Sequence, residues 1–189
     1  MNAKPWILVA DDKHGTALAV ENELTSYGYS VDVVNQLHLG LSALSSGKYS
    51  VAIVDLDFTG MSSGVEPNSK GLRIVEEALK TPFLETIVIT AYPTWETCAQ
   101  SLEKGVFRYL AKDASERNFV KQLPRIVEQA LALRAEWIEV ENRIKAAQHD
   151  LLELERGGGN SAIIDATRHI IIGLRDLLRR IRKSRGRNP

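Results

Sequence analysis

The stretch from Val51 to Gly60, "VAIVDLDFTG", decides the fold class. Its first four residues form a short, unbroken apolar run rich in β-branched side chains, which favours a strand buried on both faces of a parallel sheet. Asp55 follows at the carboxyl end of that strand. Ligands bind at this edge of an open α/β sheet, because the loops there diverge and leave a crevice. The stretch therefore predicts a site that includes Asp55.

Strand and helix patterns alternate on both sides of this stretch. The predicted strands are Trp6–Ala10, Ser30–Val34, Val51–Asp55, Thr86–Thr90 and Arg108–Ala111. The helical patterns that follow them are Thr16–Ser26, Leu37–Ser45, Leu72–Leu79, Trp95–Lys104 and a helix opened by Ser115. Five such units predict an α/β fold with a doubly wound parallel sheet. Right-handed crossovers then place the helices on the two faces of the sheet.

The composition is that of a soluble globular protein. The chain has 189 residues, of which 44% are apolar and 25% charged, enough for one core with an appendage or for two small domains. Cys98 is the only cysteine, which excludes an internal disulfide and favours a reducing compartment. No secretory signal pattern precedes the first strand, and charged residues interrupt the apolar segment Ile170–Leu178. We expect a cytoplasmic protein without a membrane span.

The net charge of zero conceals two halves of opposite sign. Residues 1–120 contain 10 Lys and Arg against 15 Asp and Glu, whereas residues 121–189 contain 14 against 9. The first half is therefore acidic and the second basic. This asymmetry indicates two functional parts, with the predicted α/β fold in the acidic part.

Five residues with polar side chains stand at the ends of strands in the predicted sheet: Asp11, Asp12, Asp55, Thr90 and Lys112. Carboxylates that converge there resist ionisation unless a cation joins them. Mg²⁺ suits such a site, because it binds one or two carboxylates, keeps several waters and accepts phosphate oxygens. Asp55 would then attack a phosphoryl donor, while Lys112 and the Thr90 hydroxyl hold the equatorial oxygens.

Residues 4–122 resemble the receiver domains of two-component response regulators. The resemblance rests on an ordered set of residues at strand ends: Asp11, Asp12, Asp55, Thr90, Ala91, Tyr109 and Lys112. It implies the flavodoxin-like strand order 2-1-3-4-5. It also implies that Asp55 is phosphorylated by a histidine kinase or a phosphotransfer protein, and that Thr90 and Tyr109 move together as the switch.

The same resemblance assigns the metal site. Mg²⁺ would be held by the carboxylates of Asp12 and Asp55 and by the backbone carbonyl of Asp57, with Asp11 acting through water. The side chain of Asp57 has two open interpretations: it influences how long the phosphoryl group survives, or it is a solvated acid beside the site.

The chain departs from the family pattern at three places. Asp113 replaces the proline that usually follows the lysine, and Thr59 replaces the proline that usually follows the hydrophobic residue of the phosphoacceptor loop. The change at Asp113 would alter the placement of Lys112 and weaken the interaction of the lysine with phosphate. Residues 61–70, "MSSGVEPNSK", lengthen the turn into the third helix; this loop would gate donor access, contact a partner, or be a tolerated surface insertion.

A phosphatase is the enzymatic alternative, because "DLDFT" (residues 55–59) also resembles the first motif of the haloacid dehalogenase superfamily. That superfamily places its remaining metal-binding acids after the lysine. Here Asp11 and Asp12 precede it, and the sequence after Lys112 is helical. We therefore expect a switch that labels itself once and loses the label slowly, not an enzyme that turns over phosphomonoesters.

The second part, residues 123–189, predicts a helical hairpin. Apolar residues recur at spacings of three and four: Leu123, Ile126, Ala130, Leu133, Trp137, Val140, Ile144, Ala147, Leu151 and Leu154. This seam predicts a helix that continues from the receiver (residues 1–122) to about Arg156, with Pro124 kinking or restarting it. A Gly-rich turn and a cap at Asn160 or Ser161 would open a second helix. Ile163, Thr167, Ile170, Leu174, Leu177 and Ile181 continue the seam there, beside a stripe of Ile164, Ile171 and Leu178.

Two helices bury little surface alone, so we expect a homodimer through this coiled-coil hairpin. Phosphorylation of Asp55 would then change how the helices pair.

The basic run from Arg179 to Arg187 leaves nucleic-acid binding open but not favoured, because no helix-turn-helix pattern accompanies it. The layout is similar to that of antiterminator response regulators, without their Ala-rich ending. A receiver-like scaffold that is not phosphorylated is the further alternative.

Overall fold

The computed structural model describes residues 4–58, 69–112 and 117–183. The strands are β1 (Trp6–Ala10), β2 (Ser30–Val34), β3 (Tyr49–Asp55), β4 (Glu85–Thr90) and β5 (Arg108–Ala111). The helices are α1 (His14–Ser26), α2 (Leu37–Ser45), α3 (Ser69–Lys80), α4 (Trp95–Glu103), α5 (Arg117–Arg156) and α6 (Ser161–Lys183).

All five strands pair in parallel, in the order β2-β1-β3-β4-β5. This confirms the predicted flavodoxin-like sheet, which is followed by the helices α5 and α6. The order places β1 and β3 side by side in the centre of the sheet, with β4 next to β3. Their carboxyl ends therefore share one edge, and the residues that follow these strands are brought together there.

Two apolar clusters cover the two faces of the sheet. Neighbouring residues of a strand point to opposite faces, so Ile7 and Val9 belong to one cluster and Leu8 and Ala10 to the other. The first cluster includes buried residues of α1 and α5, and the second includes buried residues of α2 and α3. The central strands read as continuous apolar runs because both of their faces are buried.

Helix α5 is continuous through Pro124, so the predicted restart of the helix at this residue is wrong. Proline removes one backbone hydrogen bond from a helix interior. Here Pro124 is buried, and its neighbours Leu123 and Ile126 belong to the core cluster beside α1. Packing of these side chains offsets the loss of a single hydrogen bond.

Contacts divide the chain into two compact units, Met1–Arg134 and Ala135–Pro189. Helix α5 begins in the first unit and ends in the second. The boundary predicted between residues 122 and 123 remains a prediction about function, because α5 crosses it without a break. Among the described residues, no helix has the length and apolarity needed to cross a membrane.

The second unit contains the predicted turn between α5 and α6. Gly158 adopts a φ of 67°, and Gly159 N–H donates to the Leu154 carbonyl at 2.8 Å, so the glycines end α5 in a left-handed turn. Asn160 caps α6, since its Oδ1 accepts a hydrogen bond from Ala162 N–H at 2.8 Å. Arg168 on α6 pairs with Glu155 on α5 at 2.8 Å.

Candidate functional site

Acids and a lysine meet at the carboxyl edge of the sheet. Asp11 and Asp12 follow β1, Asp55 ends β3, and Lys112 follows β5. The backbone fixes these positions: Asp11 N–H donates to the Val34 carbonyl at 3.1 Å, continuing the pairing of β1 with β2. The parallel sheet thus brings together side chains that are far apart in sequence.

The Lys112 ammonium joins two carboxylates. Its Nζ lies 2.6 Å from Asp55 Oδ2 and 3.0 Å from Asp11 Oδ2. The lysine side chain is 3% exposed, and both acids are fully buried. The other oxygen of each acid accepts a backbone N–H, from Asp57 at 3.1 Å for Asp55 and from Lys13 at 2.8 Å for Asp11. The charged groups of this cluster are therefore hydrogen-bonded as well as paired.

Burial is the largest influence on the pKa values of Asp11 and Asp55. Desolvation raises the pKa of Asp55 to about 6, against the opposing effect of the Lys112 ammonium, while the neighbouring Asp11 raises it further. Desolvation also raises the pKa of Asp11. For Lys112 desolvation acts in the opposite direction, but Asp11 and Asp55 together raise its pKa. The lysine stays charged, and the acids carry more charge than one ammonium neutralises.

The acids fit a divalent cation. Asp11, Asp12 and Asp55 each offer one carboxylate oxygen, and these oxygens all lie within 4.8 Å of one another. A hard cation such as Mg²⁺ prefers such oxygen ligands. Its charge would also offset the excess of buried negative charge that a single lysine leaves. On donor chemistry and on charge, the residues present are suited to Mg²⁺.

The end of β4 is joined to this pocket by the side chain of Asp57. The Thr90 hydroxyl donates to Asp57 Oδ2 at 3.0 Å, and Ala91 N–H donates to the same oxygen at 2.6 Å. Asp57 is 6% exposed, so the interpretation of its side chain as a solvated acid is wrong. Sequence reasoning missed this contact, because nothing in a sequence indicates which donor a buried carboxylate chooses.

The Tyr109 side chain is half-buried and bonded to α4. Its hydroxyl lies 2.8 Å from Thr97 Oγ1. Thr97 also completes a capping box with Thr94 at the start of α4. Thr97 was not identified from the sequence, because a threonine three residues after Thr94 indicates at most a helix cap and does not point to Tyr109. The two predicted switch residues thus bond to different partners, Thr90 to Asp57 and Tyr109 to Thr97.

Several predicted features lie outside the described residues. They are Thr59, Asp113, most of the loop predicted at 61–70, and the basic residues from Arg185 onward. The effect of Asp113 remains a prediction, but the structure describes the Lys112 side chain. That side chain contacts Asp55 directly.

Comparisons with known proteins agree with this arrangement. A family model described as the response regulator receiver domain matches residues 7–124. The response regulator ArlR of Staphylococcus epidermidis is 30% identical over 106 residues, which cover 56% of this chain and 45% of that protein. The transcriptional regulatory protein GlrR of Escherichia coli K12 is 28% identical over 132 residues, covering 69% of this chain and 28% of that protein. The chain thus spans about half, or less, of the length of these relatives.

Solved structures show the same fold. A response regulator from Thermotoga maritima superposes with a TM-score of 0.55 at 22% identity, covering 68% of this chain and 98% of that chain. The receiver domain of a modulated diguanylate cyclase from Desulfovibrio desulfuricans gives 0.56 at 23% identity, covering 70% and 97%. In both comparisons nearly the whole of the solved chain is matched.

Proposed function

The chain belongs to the response regulator receiver domain family of two-component systems, and we propose that it is a phosphorylation switch in which Asp55 accepts the phosphoryl group. The observation that carries the proposal is the Lys112 ammonium, which lies 2.6 Å from Asp55 and 3.0 Å from Asp11 in a buried pocket. This arrangement puts a nucleophile beside a cation that can hold a phosphoryl oxygen. Membership of the family supports a switch over the aspartate-nucleophile phosphatase.

The chemistry is an in-line displacement. A carboxylate oxygen of Asp55 forms a bond to phosphorus while the bond between phosphorus and the donor breaks, and the donor departs with the electron pair. The donor is a phosphohistidine of a histidine kinase or of a phosphotransfer protein. Lys112 is placed to hold a phosphoryl oxygen, and the Thr90 hydroxyl lies at the adjoining strand end. The residues position the group and stabilise its charge.

Mg²⁺ is the proposed cofactor, held by Asp12, Asp55 and the backbone carbonyl of Asp57, with Asp11 acting through water. When bound, it neutralises the charge that develops on the phosphoryl oxygens. The support is the set of three carboxylates whose oxygens lie within 4.8 Å of one another. The raised pKa values of Asp11 and Asp55 point the same way: burial disfavours their charged forms, and the Lys112 ammonium offsets this only in part.

The test is labelling by acetyl phosphate with Mg²⁺, read by intact mass. We expect wild type to gain one phosphoryl group and Asp55→Asn to gain none. Asp32→Asn is the matched control: Asp32 lies on β2 and pairs with Lys48 at 2.7 Å, away from the pocket, so this variant should label as wild type does. An unlabelled wild-type protein would favour the receiver-like scaffold instead.

The output of the switch is proposed to be pairing of the C-terminal helices in a homodimer. On α6, Ile163, Ile170 and Leu177 are 52%, 57% and 45% exposed, and they recur every seven residues along one stripe. The adjacent stripe, Ile171 and Leu178, is buried. A heptad stripe of large exposed apolar residues is typical of a helix that pairs with a second helix.

Coupling between the two parts would run along α5, which is continuous from the receiver into the hairpin. Phosphorylation would move Thr90, and with it Tyr109, whose hydroxyl bonds to Thr97 on α4. A shift of α4, β5 and α5 would then reach the paired helices. Equal dimer affinity with and without beryllofluoride, a phosphoryl mimic, would contradict this coupling.

A further inference from the structure

The Asp57 side chain accepts hydrogen bonds from two donors at the end of β4. Its Oδ2 accepts from the Thr90 hydroxyl at 3.0 Å and from Ala91 N–H at 2.6 Å. We propose that the Asp57 carboxylate competes with the phosphoryl group on Asp55 for these donors, and so restrains phosphorylation from within the chain. This inference rests on the proposed function of Asp55 as the phosphoacceptor.

Both donors, the Thr90 hydroxyl and the Ala91 N–H, are already bonded to Asp57 in the unphosphorylated protein. A threonine hydroxyl has one proton to donate. The Thr90 oxygen also accepts from Tyr92 N–H at 3.1 Å, which orients the hydroxyl so that its proton points to Asp57. The Ala91 backbone has a single N–H, and this too is directed at Asp57 Oδ2. A phosphoryl oxygen that takes either donor must first break a bond to Asp57.

The hydrogen bonds that Thr90 and Ala91 donate to Asp57 are stronger than ordinary hydrogen bonds between neutral groups. Hydrogen bonds to an ionised carboxylate are shorter and stronger than those between neutral groups, and Asp57 is 6% exposed. Water therefore has little access to replace the donors while the carboxylate remains in place. Displacing Asp57 from Thr90 and Ala91 carries a cost that incoming phosphoryl contacts must offset.

Charge adds to the competition. The Asp57 N–H donates to Asp55 Oδ1 at 3.1 Å, so the turn after β3 ties the backbone of one acid to the side chain of the other. A phosphoryl group on Asp55 would bring further negative charge beside the buried Asp57 carboxylate, and like charges repel. The Lys112 ammonium donates hydrogen bonds to Asp11 and Asp55, so this cation is shared by two other acids.

A purely structural role for Asp57 is the alternative, since its bonds also join the loop after β3 to the end of β4. Asp57→Asn distinguishes the two roles. The asparagine side chain has nearly the same shape and keeps one oxygen that can accept from Thr90 and Ala91, but it carries no charge. Loss of a structural contact would not tighten the binding of an anion at Asp55, whereas loss of a competitor would.

The experiment is titration of the full chain with beryllofluoride and Mg²⁺, followed by the amide resonance of Ala91 in ¹H–¹⁵N spectra. We expect Asp57→Asn to bind about tenfold more tightly than wild type, or better, because one like charge a few ångströms away is removed. Glu103→Gln is the control: it removes the same charge from an exposed position on α4 and should stay within about twofold. Thermal unfolding verifies that each variant is folded.

Wild type provides a second measurement that needs no variant. Saturation with beryllofluoride should shift the side-chain carboxyl resonance of Asp57, because its two donors change partners. Equal or weaker binding by Asp57→Asn overturns the proposal but leaves Asp55 as phosphoacceptor. An Asp57 resonance that does not move in saturated wild type has the same consequence. Failure of wild type and variant alike to bind overturns the proposed function as well.

Discussion

Asp55 is a buried acid whose charge opposes folding. Burial raises its pKa to about 6, above the ordinary value of 3.8. A carboxyl with a raised native pKa binds its proton more tightly in the folded than in the unfolded chain. Its contribution to stability is therefore complete below about pH 4 and is lost as the pH rises through about 6. At neutral pH the charged Asp55 side chain therefore destabilises the metal-free protein.

We predict that Asp55→Asn stabilises the metal-free protein at neutral pH. The neutral amide removes the desolvation cost, so the free energy of unfolding at about pH 7.5 should rise by about 1–3 kcal/mol. At about pH 5 the gain should shrink, because Asp55 of wild type is then largely protonated. Urea unfolding in the presence of a chelator measures both values.

Mg²⁺ should reverse the order of the two proteins. If the proposed site binds Mg²⁺, wild type should gain stability from the cation through linkage, whereas Asp55→Asn lacks one of the proposed ligands and should gain less. A variant that is less stable than wild type in chelator at about pH 7.5 would contradict this explanation of the pKa of Asp55.

At the level of elements, the close approach of α3 to β3 determines the surroundings of Asp55. A Cβ atom added to Gly71, in the first turn of α3, would collide with the Asp55 carbonyl oxygen and lie 2.7 Å from Leu56 Cα. Glycine allows the helix to lie directly against the backbone of Asp55 and Leu56. Any larger residue must move either the helix or the strand end.

We predict that Gly71→Ala destabilises the protein by about 1–3 kcal/mol, the usual cost of overpacking a close contact. It should also slow labelling by acetyl phosphate, because the strand end that carries Asp55 moves. Gly173→Ala is the matched control in α6, where an added Cβ meets nothing within 4 Å. There alanine should add up to about 1 kcal/mol of stability, since it is the better helix former. Urea unfolding compares the two.

A second contact between elements joins α5 to the turn before β4. Arg134 Nε donates to the Phe83 carbonyl at 2.7 Å, and Phe83 has a φ of 57°, which is uncommon for a residue other than glycine. The guanidinium thus supports a carbonyl in a turn with an unfavourable backbone conformation. The contact lies within the first compact unit.

Arg134→Met should lower the free energy of unfolding by about 1.5–3 kcal/mol, because it removes a hydrogen bond from a charged donor to a partly buried carbonyl. Arg143→Met is the control on the same helix. Arg143 pairs with Glu139 at 2.8 Å, but both side chains are more than half exposed, so this change should cost less than about 0.5 kcal/mol. Equal losses from the two variants would show that the contact with Phe83 contributes nothing specific.

At the scale of the whole molecule, helix α6 carries an exposed apolar stripe. The buried apolar residues of the receiver form two clusters around the sheet, and on α6 Ile163, Ile170 and Leu177 are exposed at a spacing of seven residues. A helical hairpin of this size buries too little surface to use all of its apolar residues alone. The stripe is accounted for if a second copy of the chain covers it.

We predict that wild type is a dimer and that Ile170→Glu raises its dissociation constant by at least about thirtyfold, as expected for the loss of an interface anchor worth about 2 kcal/mol. Leu18→Glu on α1 is the control, because Leu18 is also exposed, at 43%, but belongs to the receiver. Sedimentation at several concentrations measures both. A monomeric wild type, or an unaffected Ile170→Glu variant, would contradict the proposed homodimer.

The order of elements could be predicted from the sequence because its signals are local. Buried parallel strands such as Val51–Val54 are continuous apolar runs, and helices repeat their apolar residues every three or four positions. Once the strands are parallel, residues that end them must share one edge, so the meeting of Asp11, Asp55 and Lys112 follows from topology. The parallel sheet and the side chains that meet at its edge could therefore be predicted from the sequence. The strand order came from the resemblance to receiver domains, and the functional roles of these side chains remain predictions.

The partners of individual side chains required the tertiary structure. Asp57 and Thr90 are separated by 33 residues, and their hydrogen bond depends on the strand register and on which way a buried carboxylate turns. The same holds for the hydroxyl pair of Tyr109 and Thr97, and for Pro124, where packing of neighbouring residues outweighs a local preference. Helical periodicity identified two apolar stripes on α6, but burial decides which one is left for a partner. Such choices depend on non-local contacts, and no local pattern encodes them.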